Sequence, residues 1–250
     1  MNSLALTSKQ SALTRFVSKQ TTRFLDSTNI CLSVCHFVPH HFHPNYFEAL
    51  NIEKPVELNS AVYKRQAEFL AGRYAAQQAL KHINVPDKQV GRSIERAPVW
   101  PPGTIGSISH SDSIAICISS IRQKHIALGV DIEPIMSLGV ANDVHRLVMS
   151  NNERKYFNTL AMNESEAVTF VYSAKESLFK AIFQFIPQYL DFSASEIVHV
   201  DERNAHFNIV IPYLLGKNTP TDGVFHGSYT KYNNHYITLI KIKAKGEKTT

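Results

Sequence analysis

From His125 to Glu133 the chain reads HIALGVDIE, and this run sets tight limits on what its neighbourhood can fold into. Its β-branched and apolar residues favour extended backbone. Side chains alternate faces along a strand, so Ile126, Leu128, Val130 and Ile132 share one face while Asp131 and Glu133 leave from the other. Two acids so placed stand roughly 6 to 7 Å apart at Cα, near enough to converge on one cation, and an oxygen-only pair suits Mg²⁺ better than zinc. A solvated strand end with two unremarkable acids fits the same residues. The rest of the chain has to decide between the two.

Several classes are excluded early. At 250 residues, 44% hydrophobic and 19% charged, this is an ordinary globular composition with room for a sizeable core. A formal net charge of +5 favours an acidic or phosphorylated partner. No Lys/Arg run with interleaved aromatics and no zinc-finger pattern points to nucleic acid. No apolar segment approaches the roughly 20 residues of a membrane span. Cys31, Cys35 and Cys117 make an odd count with no disulfide framework, so a reducing, cytoplasmic setting is expected. Walker A, Gly-x-Gly-x-x-Gly and Gly-x-Ser-x-Gly patterns are missing, and the adjacent Ser109 and His110 would point to opposite faces, which argues against a serine hydrolase. Residues 1–24 are rich in Ser, Thr, Lys and Arg and carry no acid, and they read as a flexible extension outside the fold, of transit-peptide type or simply disordered.

A first strand is expected over 29–38, followed by a surface loop, PHHFHP, whose histidines match no zinc spacing. Residues 61–83 have helical periodicity, with Val62, Phe69, Ala76, Leu80 and Ile83 as the apolar stripe. Arg65 and Arg73 would then lie within ~80° of each other and about 12 Å apart along the axis, able to hold two phosphates. A solvated helix edge, with Glu68 pairing Arg65, fits equally well. The stiff PVWPPG segment would fix Arg96 just before it. The strand at 114–118 is expected to turn back through 119–124 into the Asp131 strand as a hairpin, placing His110 near the acidic pair. Residues 164–185 form a second helix with Val168, Val171, Leu178, Ile182 and Phe185 as its apolar stripe. Glu176 and Lys180 are one turn apart on it, with Lys175 beside them: either a surface ion pair or a ligand-holding cluster. Strand candidates between 196 and 243 suggest a small antiparallel sheet beside this helix.

Five blocks then occur in order: RxxExLAGR at Arg65–Arg73, RxPVWP from Arg96, GSISH ending at His110, GVDIE ending at Glu133, and SAKESxFKA from Ser173. Together they resemble the 4'-phosphopantetheinyl transferases, and among them the enterobactin synthase component D type, over about residues 25–245. Tyr172 departs from the Trp or Phe that many relatives carry there. The resemblance implies an α+β fold of two similar halves, here 25–125 and 126–250, related by a pseudo-twofold, with the active site in the cleft between them. It implies an enzyme, expected as a monomer, that moves phosphopantetheine from coenzyme A to a serine of an acidic acyl or peptidyl carrier protein. By that resemblance Asp131, Glu133 and Glu176 would hold Mg²⁺. Glu176 would act as base and Lys180 would assist the leaving bisphosphate. Arg65, Arg73, Arg96, Ser109, His110, Lys175 and Lys180 would bind coenzyme A. Siderophore peptide synthesis is the service the resemblance suggests, with polyketide or polyunsaturated fatty acid synthesis as an alternative. An Mg²⁺-dependent phosphohydrolase would share the same carboxylates and bases.

Overall fold

In the computed structural model, which describes residues 13–25 and 29–243, the chain is α+β and divides into two units, residues 1–124 and 125–250. The first unit contains β1 (Val17–Leu25), β2 (Ile30–Phe37), helix α1 (Tyr63–His82), the short ribbon β3 (Gly91–Arg92) and β4 (Pro98–Val99), then β5 (Thr104–Ser111) and β6 (Ile114–Ile121). Its main sheet is antiparallel with strand order β1-β2-β6-β5. Helix α1 buries Ala67, Leu70, Ala71, Ala75, Ala76, Ala79 and Leu80, a face of mostly small, strongly helix-forming residues. Small side chains let it settle close to the sheet: a Cβ on Gly72 would stand 3.0 Å from Ile108 Cγ2. Val62, expected in the apolar stripe, precedes the first helical residue and is exposed.

Two expectations fail here. Part of the extension assigned to residues 1–24 is ordered: 17–25 form β1, paired along its length with β2. Phe16 just before it is fully buried, with ring centroids 5.9 Å from Phe37 and Phe42 and 5.6 Å from Tyr46. The strand is largely exposed, so its polar composition hides it, while backbone pairing and one buried aromatic hold it. Residues 1–12 lie outside the described residues. The hairpin joining 114–118 to the Asp131 strand does not form either. β6 has β2 on one edge and β5 on the other, so no edge is left to accept the strand that follows. All three cysteines are buried free thiols.

The second unit begins with β7 (His125–Pro134) and continues through α2 (Leu138–Val148), α3 (Asn151–Phe157), α4 (Glu164–Ile182), β8 (Glu196–Asp201), β9 (His206–Val210), β10 (Val224–Tyr232) and β11 (His235–Lys243). Its antiparallel sheet runs β7-β11-β10-β9-β8, so the first strand of the unit pairs with the last. Helix α4 opens on a capping box, Asn163 accepting from the Glu166 amide and Glu166 from the Asn163 amide. It ends at Ile182, three residues short of the expected end at 185, and a tight turn follows before Pro187. Phe170, fully buried on α4, meets the rings of Phe157, Phe207, Tyr229 and Tyr236 at the centre of the core. Among the described residues no helix is long and apolar enough to cross a membrane.

Candidate active site

Gly129 fixes the distance between α4 and β7. A Cβ there would overlap the Ser177 carbonyl oxygen and lie 2.8 Å from the Ala181 amide nitrogen, so only glycine lets the helix backbone rest on the strand. One turn earlier, the Thr238 hydroxyl on β11 donates to the Ser173 carbonyl at 2.8 Å and lies 3.0 Å from the Ser173 hydroxyl. Thr238 is the cross-strand partner of Asp131, so this clasp sets the helix beside the acidic end of β7.

Between 167 and 182, α4 is buried at every position except Tyr172, Glu176, Phe179 and Lys180, which share one face. Lys180 Nζ donates to Asp131 Oδ1 at 2.6 Å and to the Val130 carbonyl at 3.3 Å, and Asp131 is 2% exposed. Burial raises the Glu176 pKa, the nearby Lys180 ammonium opposes that rise, and the Asp131 charge adds to it. Burial likewise pushes the Tyr172 phenol up, reinforced by the charges of Glu176, Glu133 and Asp131 and by Tyr189. Asp131 and Glu133 leave the same face of β7, and Glu176 lies one turn before Lys180, the residue that holds Asp131. The donor set is oxygen-only, as a hard divalent cation requires. The acids are not drawn together into a finished cage: among the described residues no three His, Cys, Asp or Glu side chains form a group that could hold a metal ion as they stand. The residues therefore fit Mg²⁺ in donor type and neighbourhood, with closure left to the side chains.

Lys175 does not belong to this face. It is 1% exposed, and its ammonium donates to Glu153 Oε2 at 2.8 Å, the Val148 carbonyl at 2.9 Å and the Phe192 carbonyl at 3.0 Å. All three donor protons are used inside the fold, so the structure does not bring Lys175 together with Glu176 and Lys180. Burial lowers its pKa while Glu153 holds the charged form. Glu153 is equally engaged. Its Oε1 accepts from the Ile197 amide at 2.8 Å, and its Oε2 also accepts from the Ser150 amide at 2.8 Å in the α3 capping box. Glu153 escaped the sequence reading, although Ser150-x-x-Glu153 is the helix-start pattern that could have marked it.

In the first unit Arg65 Nη1 lies 2.9 Å from His110 Nε2 and 3.5 Å from Glu68 Oε2, and His110 Nδ1 is 3.9 Å from the same carboxylate oxygen. A guanidinium can only donate, so His110 Nε2 accepts and the ring proton sits on Nδ1, towards Glu68. Arg65 and His110 are thus brought together, half open to solvent. Arg73 is placed otherwise. It is 8% exposed, donates to the Gly91 carbonyl at 2.9 Å and stacks 4.6 Å from the Phe69 ring, which ties the β3–β4 ribbon to α1. Burial lowers its pKa to about 10. Ser109 is buried on the β5 face opposite His110. Arg96 is exposed at φ 69° in a turn closed by its own amide on the Ser93 carbonyl, so the turn presents it, not the stiff segment that follows. That segment is anchored elsewhere, with the Trp100 indole occupying the space a Cβ on Gly106 would need.

The family model described as the 4'-phosphopantetheinyl transferase N-terminal domain matches residues 53–120, and that of the 4'-phosphopantetheinyl transferase superfamily matches residues 127–240. The chain belongs to the 4'-phosphopantetheinyl transferase superfamily. Among relatives of this chain, enterobactin synthase component D of Salmonella typhi is 42% identical over 124 residues, 50% of this chain and 51% of that protein. The protein of the same name from Escherichia coli K12 is 34% identical over 159 residues, covering 62% and 66%. The 4'-phosphopantetheinyl transferase Svp of Streptomyces mobaraensis is 28% identical over 195 residues, covering 77% and 78%. The chain spans about half the length of the Salmonella relatives it matches. A crystal structure of a holo-(acyl-carrier-protein) synthase from Bacillus anthracis in complex with CoA (3',5'-ADP) aligns with 49% of this chain and 99% of that one, at 16% identity and a TM-score of 0.37, too distant to add to the assignment. Asp131, Glu133, Lys175, Glu176 and Lys180 fall within the superfamily match, and Arg65, Arg73, Arg96, Ser109 and His110 within the N-terminal one.

Proposed function

We propose that this transferase moves the 4'-phosphopantetheine group of coenzyme A onto a serine hydroxyl of an apo carrier protein and releases adenosine 3',5'-bisphosphate. The observation that supports this reading is the seating of α4 on β7, which brings Lys180 onto Asp131 with Glu176 one helical turn away. In the reaction the serine oxygen bonds to the β-phosphorus of the pyrophosphate and the bond to the adenosine-bearing phosphate breaks. Glu176, whose proton affinity burial raises, is equipped to take the serine proton. Lys180 is equipped to neutralise the departing phosphate or return a proton to it. Asp131 holds the Lys180 ammonium at the strand end and so aims it. Mg²⁺ held by Asp131, Glu133 and Glu176 would supply Lewis-acid stabilisation of charge on the pyrophosphate oxygens. From the first unit, Arg65, His110 and the exposed Arg96 are the groups suited to the remaining phosphates, whereas Arg73 and Lys175 act inside the fold.

An acidic carrier suits a chain of net charge +5. Likeness to enterobactin synthase component D supports service to siderophore peptide synthesis in the cytoplasm. The test is to incubate the protein with coenzyme A, Mg²⁺ and a panel of apo carrier proteins from peptide, polyketide and fatty acid systems, and to resolve all products. Carrier that gains the phosphopantetheine mass supports transfer, and the carrier modified fastest names the pathway. Free phosphopantetheine with unmodified carrier would point to a phosphohydrolase.

A further inference from the structure

Tyr172 lies one helical turn before Glu176 on the open face of α4. Side chains of a helix lean towards its N-terminus, so the Glu176 carboxylate inclines over this residue. The Tyr172 ring is packed against Phe192, centroids 5.0 Å apart at 38°, and Phe192 also meets Phe179 at 6.1 Å. The carbonyl of Phe192 accepts one of the three Lys175 hydrogen bonds, so the ring rests on a backbone held by the buried ammonium. The far end of the side chain is different. Among the described residues the Tyr172 hydroxyl hydrogen-bonds to none, and neither does the Glu176 carboxylate.

Donors are scarce at this site. Ionised Asp131, Glu133 and Glu176 can only accept, and Lys180 already donates to Asp131 and to the Val130 carbonyl. A pyrophosphate is also an acceptor only, so a ligand among three acids needs donors besides the ammonium. The phenol is the neutral donor on the same helix face, and burial together with the neighbouring acids keeps its proton in place.

We propose that Tyr172 is a substrate-binding residue whose hydroxyl donates a hydrogen bond to an oxygen of the coenzyme A pyrophosphate. This rests on the transferase reading above. Tyr172→Phe removes the hydroxyl and keeps the ring on Phe192, and Tyr172→Trp keeps an aromatic ring without the phenol. Coenzyme A and dephospho-coenzyme A, which lacks the 3'-phosphate, are titrated calorimetrically onto wild type and both variants in Mg²⁺ buffer, with thermal unfolding as the check on folding. A lost hydrogen bond to a charged group predicts about tenfold weaker binding of both ligands to Tyr172→Phe with an unchanged Tm, and a loss no larger for Tyr172→Trp, whose indole N–H can still donate. Tyr172→Phe binding coenzyme A as tightly as wild type overturns the proposal. A loss seen with coenzyme A but not with dephospho-coenzyme A also overturns it, because the donor would then serve the 3'-phosphate. Binding is read whether or not any carrier is modified, so failure of this inference and failure of the transferase reading are separate results.

Discussion

Replacing Lys175 with Met keeps the length of the side chain and deletes the ammonium, leaving the fully buried Glu153 carboxylate without its counter-charge. Breaking one partner of such a pair costs about 3–5 kcal/mol, so urea unfolding of Lys175→Met should show a loss of that order. The protein that remains folded should bind coenzyme A as wild type does. Stability equal to wild type would contradict the buried role. At Glu176 the sign is opposite. Burial raises this carboxyl's pKa, so the native state keeps its proton to higher pH than the unfolded chain. The associated stability is fully present below the unfolded pKa and is lost as pH rises through the raised native value. Metal-free Glu176→Gln, which cannot ionise, should therefore melt above wild type at neutral and alkaline pH, and the gain should vanish towards the acid side of that window. The same variant should transfer no phosphopantetheine. Glu176 and Lys180 are legible in the sequence because helical spacing fixes which residues share a face. Lys175 is not, because its partner lies 22 residues away on another helix and local spacing says nothing about it.

At the scale of elements, the joint between α4 and β7 governs the site. Gly129→Ala would force the helix off the strand, and overpacking of this kind costs about 1–3 kcal/mol or more, since the obstacle is backbone. Chemical denaturation should show that loss, and coenzyme A binding should weaken with it as Lys180 is drawn away from Asp131. An alanine variant as stable and as tight as wild type would contradict the seating described here. Both long helices and the Asp131 strand follow from periodicity in the sequence, because their apolar residues recur at the spacing of the backbone they occupy. Strand partners do not follow from it. The run before Asp131 looks like the return arm of a hairpin, yet β6 is already flanked on both edges and β7 pairs with β11, more than a hundred residues further on. β1 was hidden for a related reason: a mostly exposed strand shows little apolar alternation, and its ladder to β2 is made by backbone groups.

For the molecule as a whole, each unit matches its own transferase model, and each sets a long helix, of 20 residues in one and 19 in the other, against one face of an antiparallel sheet. The acids and Lys180 lie in the second unit and the Arg65–His110 pair in the first. The most direct test is the rate at which an apo carrier gains mass from coenzyme A across a range of Mg²⁺ concentrations, for wild type and for Asp131→Asn, Glu133→Gln and Glu176→Gln. The carrier should gain one phosphopantetheine arm in a metal-dependent reaction with wild type, and each variant should lower the rate by orders of magnitude while remaining folded. Equal rates for all four proteins, or a wild-type rate indifferent to Mg²⁺, would contradict the assignment of these three acids.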